Sequence, residues 1–490
     1  MFNNTIPEQS RYGGAREVGV VVSSSRYLLE LEGLPSVRLN ALLTDRAGRR
    51  VLVTAFSEDR VHGVLFDRTT VEAGSEFFES DTPLSLPRAS ALMGRVVSPL
   101  GDMLDEKGAI GGTRMELVFD PIAAGISARA EITEQCVTGI ALIDLLLPLG
   151  QGQRQLIIGP TRSGKGSLLR DIISNQRGSG VSCIYAAIGK PAAHIRRFRT
   201  FLDDSGAAAY TTIVAAPANE STPLVTLVPA AALALAEALS RDGRDVMLIL
   251  DDLATHAKYL REMALLAGSI PGRESYPGNI FYQHAHLIEL AGRFSGERGT
   301  VTLLAVLESD EEGLTTLIPT NAMAATDGHL YFSPSLYARG SYPSIEISRS
   351  VTRVGKQTQR RAQKELADRL LALLADFEER EAFSRFGAEL AGETRQTISQ
   401  AFVSLTLLGQ KPGESRDPTA TVLVLALVFT SFFTSRGRVF AEKWRDKLFE
   451  AAFASPALKA AREIMLADRE LETLLAELER VKHVFENVCR

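Results

Sequence analysis

Residues 156–169, LIIGPTRSGKGSLL, constrain this chain more than any other stretch. An apolar run ends in glycine, a short polar turn follows, and a second glycine and a lysine open a segment with helical spacing. A strand passing through a glycine-rich turn into a helix is the context that makes a phosphate-binding loop credible. Gly159 and Gly164 let backbone amides face an anion, Lys165 brings a point charge, and a helix over 167–175 aims its N-terminus at the same place. Gly159, Pro160, Thr161, Arg162, Ser163, Gly164, Lys165, Gly166 and Ser167 are therefore the candidate nucleotide-binding residues. The motif breaks at Gly166, where a Ser or Thr hydroxyl ordinarily ligates the Mg2+ carried by a nucleoside triphosphate. Ser167 lies one residue too late to replace it.

A chain of 490 residues is too long for one core, so two to four domains are expected. Its 45% hydrophobic and 23% charged residues exclude general disorder. A net charge of -5 lacks the basic excess that phosphate neutralisation needs, which argues against a nucleic-acid partner. Cys136, Cys183 and Cys489 have no metal or framework spacing and fit a reducing compartment. No secretory signal is visible at the start. The longest apolar run, TVLVLALVFTSFF at 421–433, is shorter than the ~20 residues of a membrane span and reads as a buried core helix. Membrane association is expected only through partners.

Short strands separated by turn residues fill the first part of the chain: VGVVV at 18–22, YLLELEGL at 27–34, RRVLVTAF at 49–56 and RVHGVLF at 60–66. They predict a small β-barrel, with a β-sandwich left open by pattern alone. From about 93 to 320, apolar strands alternate with helical stretches, the texture of a parallel α/β sheet. Its strand candidates are QLIIG at 155–159, SCIYAAIG at 182–189, TTIVAA at 211–216, DVMLILDD at 245–252 and TVTLLAVLE at 300–308. Beyond 359 the apolar residues recur at three- and four-residue intervals, so helices are expected. The domains predicted are a barrel at 17–90, a nucleotide-binding α/β domain at 91–358 and a helical domain at 359–490.

VMLILDD ends an apolar strand in carboxylates, an arrangement that places Asp251 where Mg2+ is held in nucleotide-binding domains of this kind. Alone, Asp251 and Asp252 would equally serve as helix caps. His256, His284 and His286 lack an acid partner at catalytic spacing and read as structural.

Several longer stretches carry a specific resemblance. TGIALIDLLLPLGQGQRQLIIG, LILDDLATHAKYLREMALL, PGRESYPGNIFYQHAHLIELAGRF, LIPTNAMAATDGHLYF, SVTRVG and GRVVSPLGDMLDEKGAI resemble the α subunits of rotary ATP synthases over roughly 19–410. The resemblance implies an N-terminal β-barrel, a central phosphate-loop (RecA-like) domain and a C-terminal helical bundle. It implies three such subunits alternating with three catalytic β subunits around a central γ stalk. Peripheral-stalk partners and a bacterial inner membrane reached from its cytoplasmic side, through a proton- or sodium-translocating sector, are further implications. ATP or ADP is the implied ligand, with Mg2+ in question because of Gly166.

Catalytic β subunits of that family place a glutamate directly after the glycine of the strand following the phosphate loop. Here Lys190 stands there, and a protonated lysine cannot accept a proton from water. Arg353 matches the arginine that α subunits extend into the neighbouring β site, and Ser350 matches a second position of that interface segment that matters for activity, so the resemblance implies that both act catalytically in the neighbouring β site. Arg162 and Lys190 both replace a glutamine of family α subunits. With Lys165 they are expected to ring the phosphates with three cations and weaken the dependence on metal, or else the pocket is an empty relic. Gln410 matches the adenine-side segment, whereas Pro412 and Gly413 depart from it. The N-terminus lacks the family's stator-docking helix, so a divergent form of the complex is expected. Lys190 also speaks against the second reading, a homo-hexameric protein-export ATPase.

Overall fold

The computed structural model describes residues 17–118, 121–310, 313–384 and 392–489. The expectation about the stator-docking helix falls on residues 1–16, outside these.

Six strands, β1 (Val18–Ser25), β2 (Leu28–Gly33), β3 (Leu42–Thr44), β4 (Arg50–Ser57), β5 (Arg60–Leu65) and β6 (Glu76–Glu79), close a barrel in the order β1-β2-β5-β4-β3-β6. Because β6 pairs with both β1 and β3, no edge remains, and the sandwich alternative is excluded. Alternate residues such as Leu31, Leu43, Val51, Val53, Leu65 and Phe77 point inward and form a separate core. β3 and β6 were not anticipated, since three and four residues are too few to display a period of two. A two-stranded sheet, β7 (Ser85–Pro87) with β9 (Arg114–Glu116), follows. Arg50 of the barrel reaches Asp102 across this junction at 2.8 Å.

The central sheet contains β8 (Val96–Val97), β10 (Arg154–Gly159), β11 (Ser182–Ile188), β12 (Thr211–Ala216), β13 (Val246–Asp251), β14 (Val301–Glu308), β15 (Gly328–Tyr331) and β16 (Val351–Thr352). Their order is β16-β15-β10-β14-β13-β11-β12-β8, and every pairing is parallel except β15 with β16. Parallel strands sandwiched by helices are buried on both faces, which is why β11, β12 and β13 are buried at every position and are apolar through their centres. The helices that follow the strands are α1 (Ala141–Leu146), α2 (Lys165–Asn175), α3 (Ala192–Ser205), α4 (Thr222–Thr226), α5 (Val228–Arg241), α6 (Leu253–Leu266) and α7 (Ile280–Glu289).

Consecutive residues of β10 divide the interior. Leu156 and Ile158 pack with α5, while Ile157 shares a core with Leu168 and Ile172 of α2 and with the C-terminal helices. The 421–433 run is the helix Pro418–Ala426 followed by two 3-10 turns, buried within that second core. Among the described residues one helical stretch, Thr222–Arg241, is long and apolar enough to cross a membrane, but 72% of it is buried and α5 lies against β11 and β13.

His256 of α6 and His284 of α7 form a buried pair, Nδ1 to Nε2 at 3.2 Å, with His256 Nε2 donating to Thr226 O at 3.1 Å. His286 stacks on Tyr282. Burial lowers the pKa of His256 to about 4 and of His284 to about 3. A histidine held neutral in the native state binds its proton more readily when unfolded. Stability from this pair is therefore present above the ordinary pKa near 6.5 and lost as pH falls through the range from 6.5 toward 4. We expect the thermal unfolding midpoint to fall across that window, with a shallower fall in H284F. Equal slopes in scanning calorimetry would contradict this.

Candidate functional site

The loop between β10 and α2 forms the candidate anion site. Gly164 caps α2 at φ +99°, and a Cβ there would meet Ser344 Oγ at 2.9 Å, so only glycine suits the position. Ser163 Oγ donates to Pro160 O at 2.7 Å and fixes the turn. The amides of residues 161–164 make no hydrogen bond to any described residue, leaving an electropositive nest at the start of α2. Lys165 is buried, and its Nζ donates to Gly159 O at 2.6 Å and to Pro160 O at 2.7 Å. Burial lowers its pKa, against the opposing charges of Glu308, Asp251 and Asp252. Glu308 stands beside Gly159 in the parallel register of β14 and β10.

Thr161 and Arg162 are exposed at the loop tip, with Arg162 at φ +60°. Gly166 is exposed and a Cβ there would meet nothing within 4 Å, so the missing hydroxyl is not a consequence of crowding. Ser167 Oγ accepts from Arg170 at 3.3 Å.

The strand ends beside the loop carry a network that the sequence reading foresaw only in part. Ala187 of β11 faces Asp251 of β13 in register, and the period of two puts Tyr185 on the same face. Tyr185 is buried and its hydroxyl donates to Asp251 Oδ2 at 2.6 Å, while His194 Nε2 lies 3.2 Å from the Tyr185 hydroxyl oxygen. Three residues past Ala187, Lys190 places Nζ 2.7 Å from Asp251 Oδ1 and 3.0 Å from Asp252 Oδ2. Asp252 also caps α6, accepting from Thr255 N at 2.7 Å and Thr255 Oγ1 at 3.0 Å. Burial works against the Lys190 ammonium, but the two carboxylates outweigh it and raise its pKa.

Two expectations change as a result. Lys190 is not a free cation alongside Lys165 and Arg162, because its Nζ is ion-paired with Asp251 and Asp252. Asp251, the expected Mg2+ ligand, has each carboxylate oxygen engaged by a protein group, Oδ1 by the Lys190 ammonium and Oδ2 by the Tyr185 phenol. The adenine-side expectation meets a similar geometry. Gln410 is buried, its Oε1 accepting from Ala141 N at 2.6 Å and its Nε2 donating to Gly139 O at 3.0 Å. Beside it, Tyr342 hydroxyl and Gly413 N both donate to Asp171 Oδ2 of α2. These bonds dock the helical domain on the nucleotide-binding one and engage both polar atoms of the Gln410 side chain.

Arg353 lies elsewhere. It follows β16, and its amide bonds Asp327 O at 3.0 Å, beyond the start of β15. Counting register from Asp327 to the level of Gly159 separates it from its own phosphate loop by roughly 16 Å along the strands. Its side chain is exposed, and its one hydrogen bond among the described residues is to Thr326 O at 3.2 Å. Ser350 Oγ instead donates to Glu346 O at 2.7 Å and accepts from Tyr331 N at 3.0 Å, a local brace.

Comparison with known proteins agrees with this architecture. Residues 139–352 match the family model described as the ATP synthase alpha/beta family, nucleotide-binding domain, and residues 359–477 match the ATP synthase alpha/beta chain, C terminal domain. The chain is 40% identical over 413 residues to ATP synthase subunit alpha 2 of Syntrophotalea carbinolica, covering 84% of this chain and 79% of that one. It is 37% identical over 386 residues to ATP synthase subunit alpha 1 of Marinomonas sp., covering 78% and 76%. ATP synthase subunit alpha of Mycoplasmoides gallisepticum is 34% identical over 410 residues, covering 83% and 79%.

Removing one partner from a buried ion pair leaves an uncompensated charge, at a cost of about 3–5 kcal/mol. K190M should destabilise the folded chain by about that amount in urea titration, whereas Y185F should cost only about 1–3 kcal/mol. Equal stability of K190M and wild type would remove Lys190 from the network.

Proposed function

Because the chain belongs to the ATP synthase alpha subunit family, we propose that it is the non-catalytic, regulatory α subunit in the catalytic head of an ion-translocating ATP synthase. In this reading three copies alternate with three β subunits around a γ stalk, held by a peripheral stalk at the cytoplasmic face of a bacterial inner membrane. The chain binds ATP or ADP atypically and completes active sites that belong to its neighbours.

The observation that carries this reading is the place of Arg353. It is exposed, makes no ion pair among the described residues, and lies at the opposite end of the sheet from its own phosphate loop. A guanidinium so placed serves a site outside its own chain. There it would stabilise charge on a transferring phosphoryl group, a contribution worth about 10³–10⁵ in rate. Lys190 supports the same conclusion from the other side. The position of a water-polarising carboxylate holds an ammonium tied to Asp251 and Asp252, so no proton acceptor stands there. Ser350 acts here as a positioning residue, bracing the segment that presents Arg353.

In a complex reassembled with β and γ, R353A should lower ATP hydrolysis by about 10³ while the assembly elutes unchanged on gel filtration. R353K should not restore it, because an ammonium lacks the planar fork. Undiminished turnover in R353A would refute the assignment.

A further inference from the structure

Between the ends of β11 and β13 a cation is already built into the chain. Lys190 Nζ lies 2.7 Å from Asp251 and 3.0 Å from Asp252, and its side chain is only 15% exposed. Phosphate-loop sites hold Mg2+ through a hydroxyl just after the loop lysine and a carboxylate at a neighbouring strand end. Here position 166 has no hydroxyl, although its surroundings have room for one. Asp251 offers one oxygen to Lys190 and the other to the buried Tyr185 hydroxyl. Asp252 offers one to the Thr255 amide and the other to Thr255 Oγ1 and Lys190.

The donor set therefore does not fit a divalent ion. Mg2+ binds oxygens at about 2.0–2.1 Å in a strict octahedron, and it would have to evict Lys190, stranding an ammonium beside the new charge. The half of the site that binds the anion is intact. The amides of residues 161–164 are unengaged among the described residues, and Lys165 is seated in the loop.

We propose that this pocket takes the phosphate chain of a nucleotide without a divalent cation, the Lys190 ammonium standing permanently between Asp251 and Asp252 in the cation's stead. The inference rests on the reading of the loop as a phosphate site. Occupancy of the pocket then does not follow the free Mg2+ concentration, unlike that of a site whose phosphates are bridged by the metal.

The test uses the full-length chain, with ADP and inorganic pyrophosphate as probes, by calorimetry in excess Mg2+ and in EDTA. Mn2+ replaces Mg2+ in a parallel paramagnetic resonance titration. Wild-type affinity for each probe should differ by less than about threefold between the two conditions, a gap of about 0.65 kcal/mol, with no immobilised Mn2+ signal. G166T, which fits without crowding, should stay metal-independent because Lys190 remains. G166T/K190Q should bind ADP about tenfold or more tighter with Mg2+ than without, and should immobilise Mn2+. Loss of wild-type ADP binding in EDTA would overturn the inference while leaving the phosphate site standing. Metal dependence in G166T alone would overturn the role given to Lys190. No binding of either probe under any condition would overturn the phosphate-site reading and the inference with it.

Discussion

The parallel register of β10, β14, β13 and β11 is the constraint on which the site depends. It brings Gly159, Glu308 and Asp251 to one edge of the sheet, with Lys190 carried there on the continuation of β11. Parallel strands cannot reverse through tight turns, so each ends in a loop leading to a helix, and chemistry collects at their carboxyl ends. Burial of both sheet faces leaves no latitude in that register, since a one-residue slip would turn Ile157 out of the core it shares with α2.

At this end of the sheet a covalently tethered cation, the Lys190 ammonium, sits between two carboxylates. A lysine between two carboxylates compensates their burial whether or not ligand is present, and Tyr185 satisfies the remaining oxygen of Asp251. Such a network ties the ends of β11 and β13 to each other. The opposite end of the same sheet presents Arg353 to the outside. One fold thus separates the phosphate loop from an outward-facing guanidinium at opposite ends of the same strands.

Sequence and structure part company at short or long-range features. The barrel's longer strands announce themselves by alternation, whereas β3, β6 and β15 span only three or four residues and form because neighbours supply their pairing. Tyr185 could have been noticed as the one aromatic residue in an otherwise small and aliphatic strand, on the face that leads to Asp251. The bonds of Gln410 with Gly139 and Ala141 join residues more than 250 positions apart, which no local pattern encodes.

Composition, periodicity and the LIIGPTRSGKGSLL stretch sufficed to establish a three-part chain with a phosphate loop lacking its metal hydroxyl, because strand runs, glycine turns and helical spacing are local properties. The partner of Lys190 was decided only by tertiary structure. A flexible four-carbon side chain goes to whatever charge the packing brings near, and here the sheet brought Asp251 and Asp252, 61 and 62 residues downstream, within 3.0 Å.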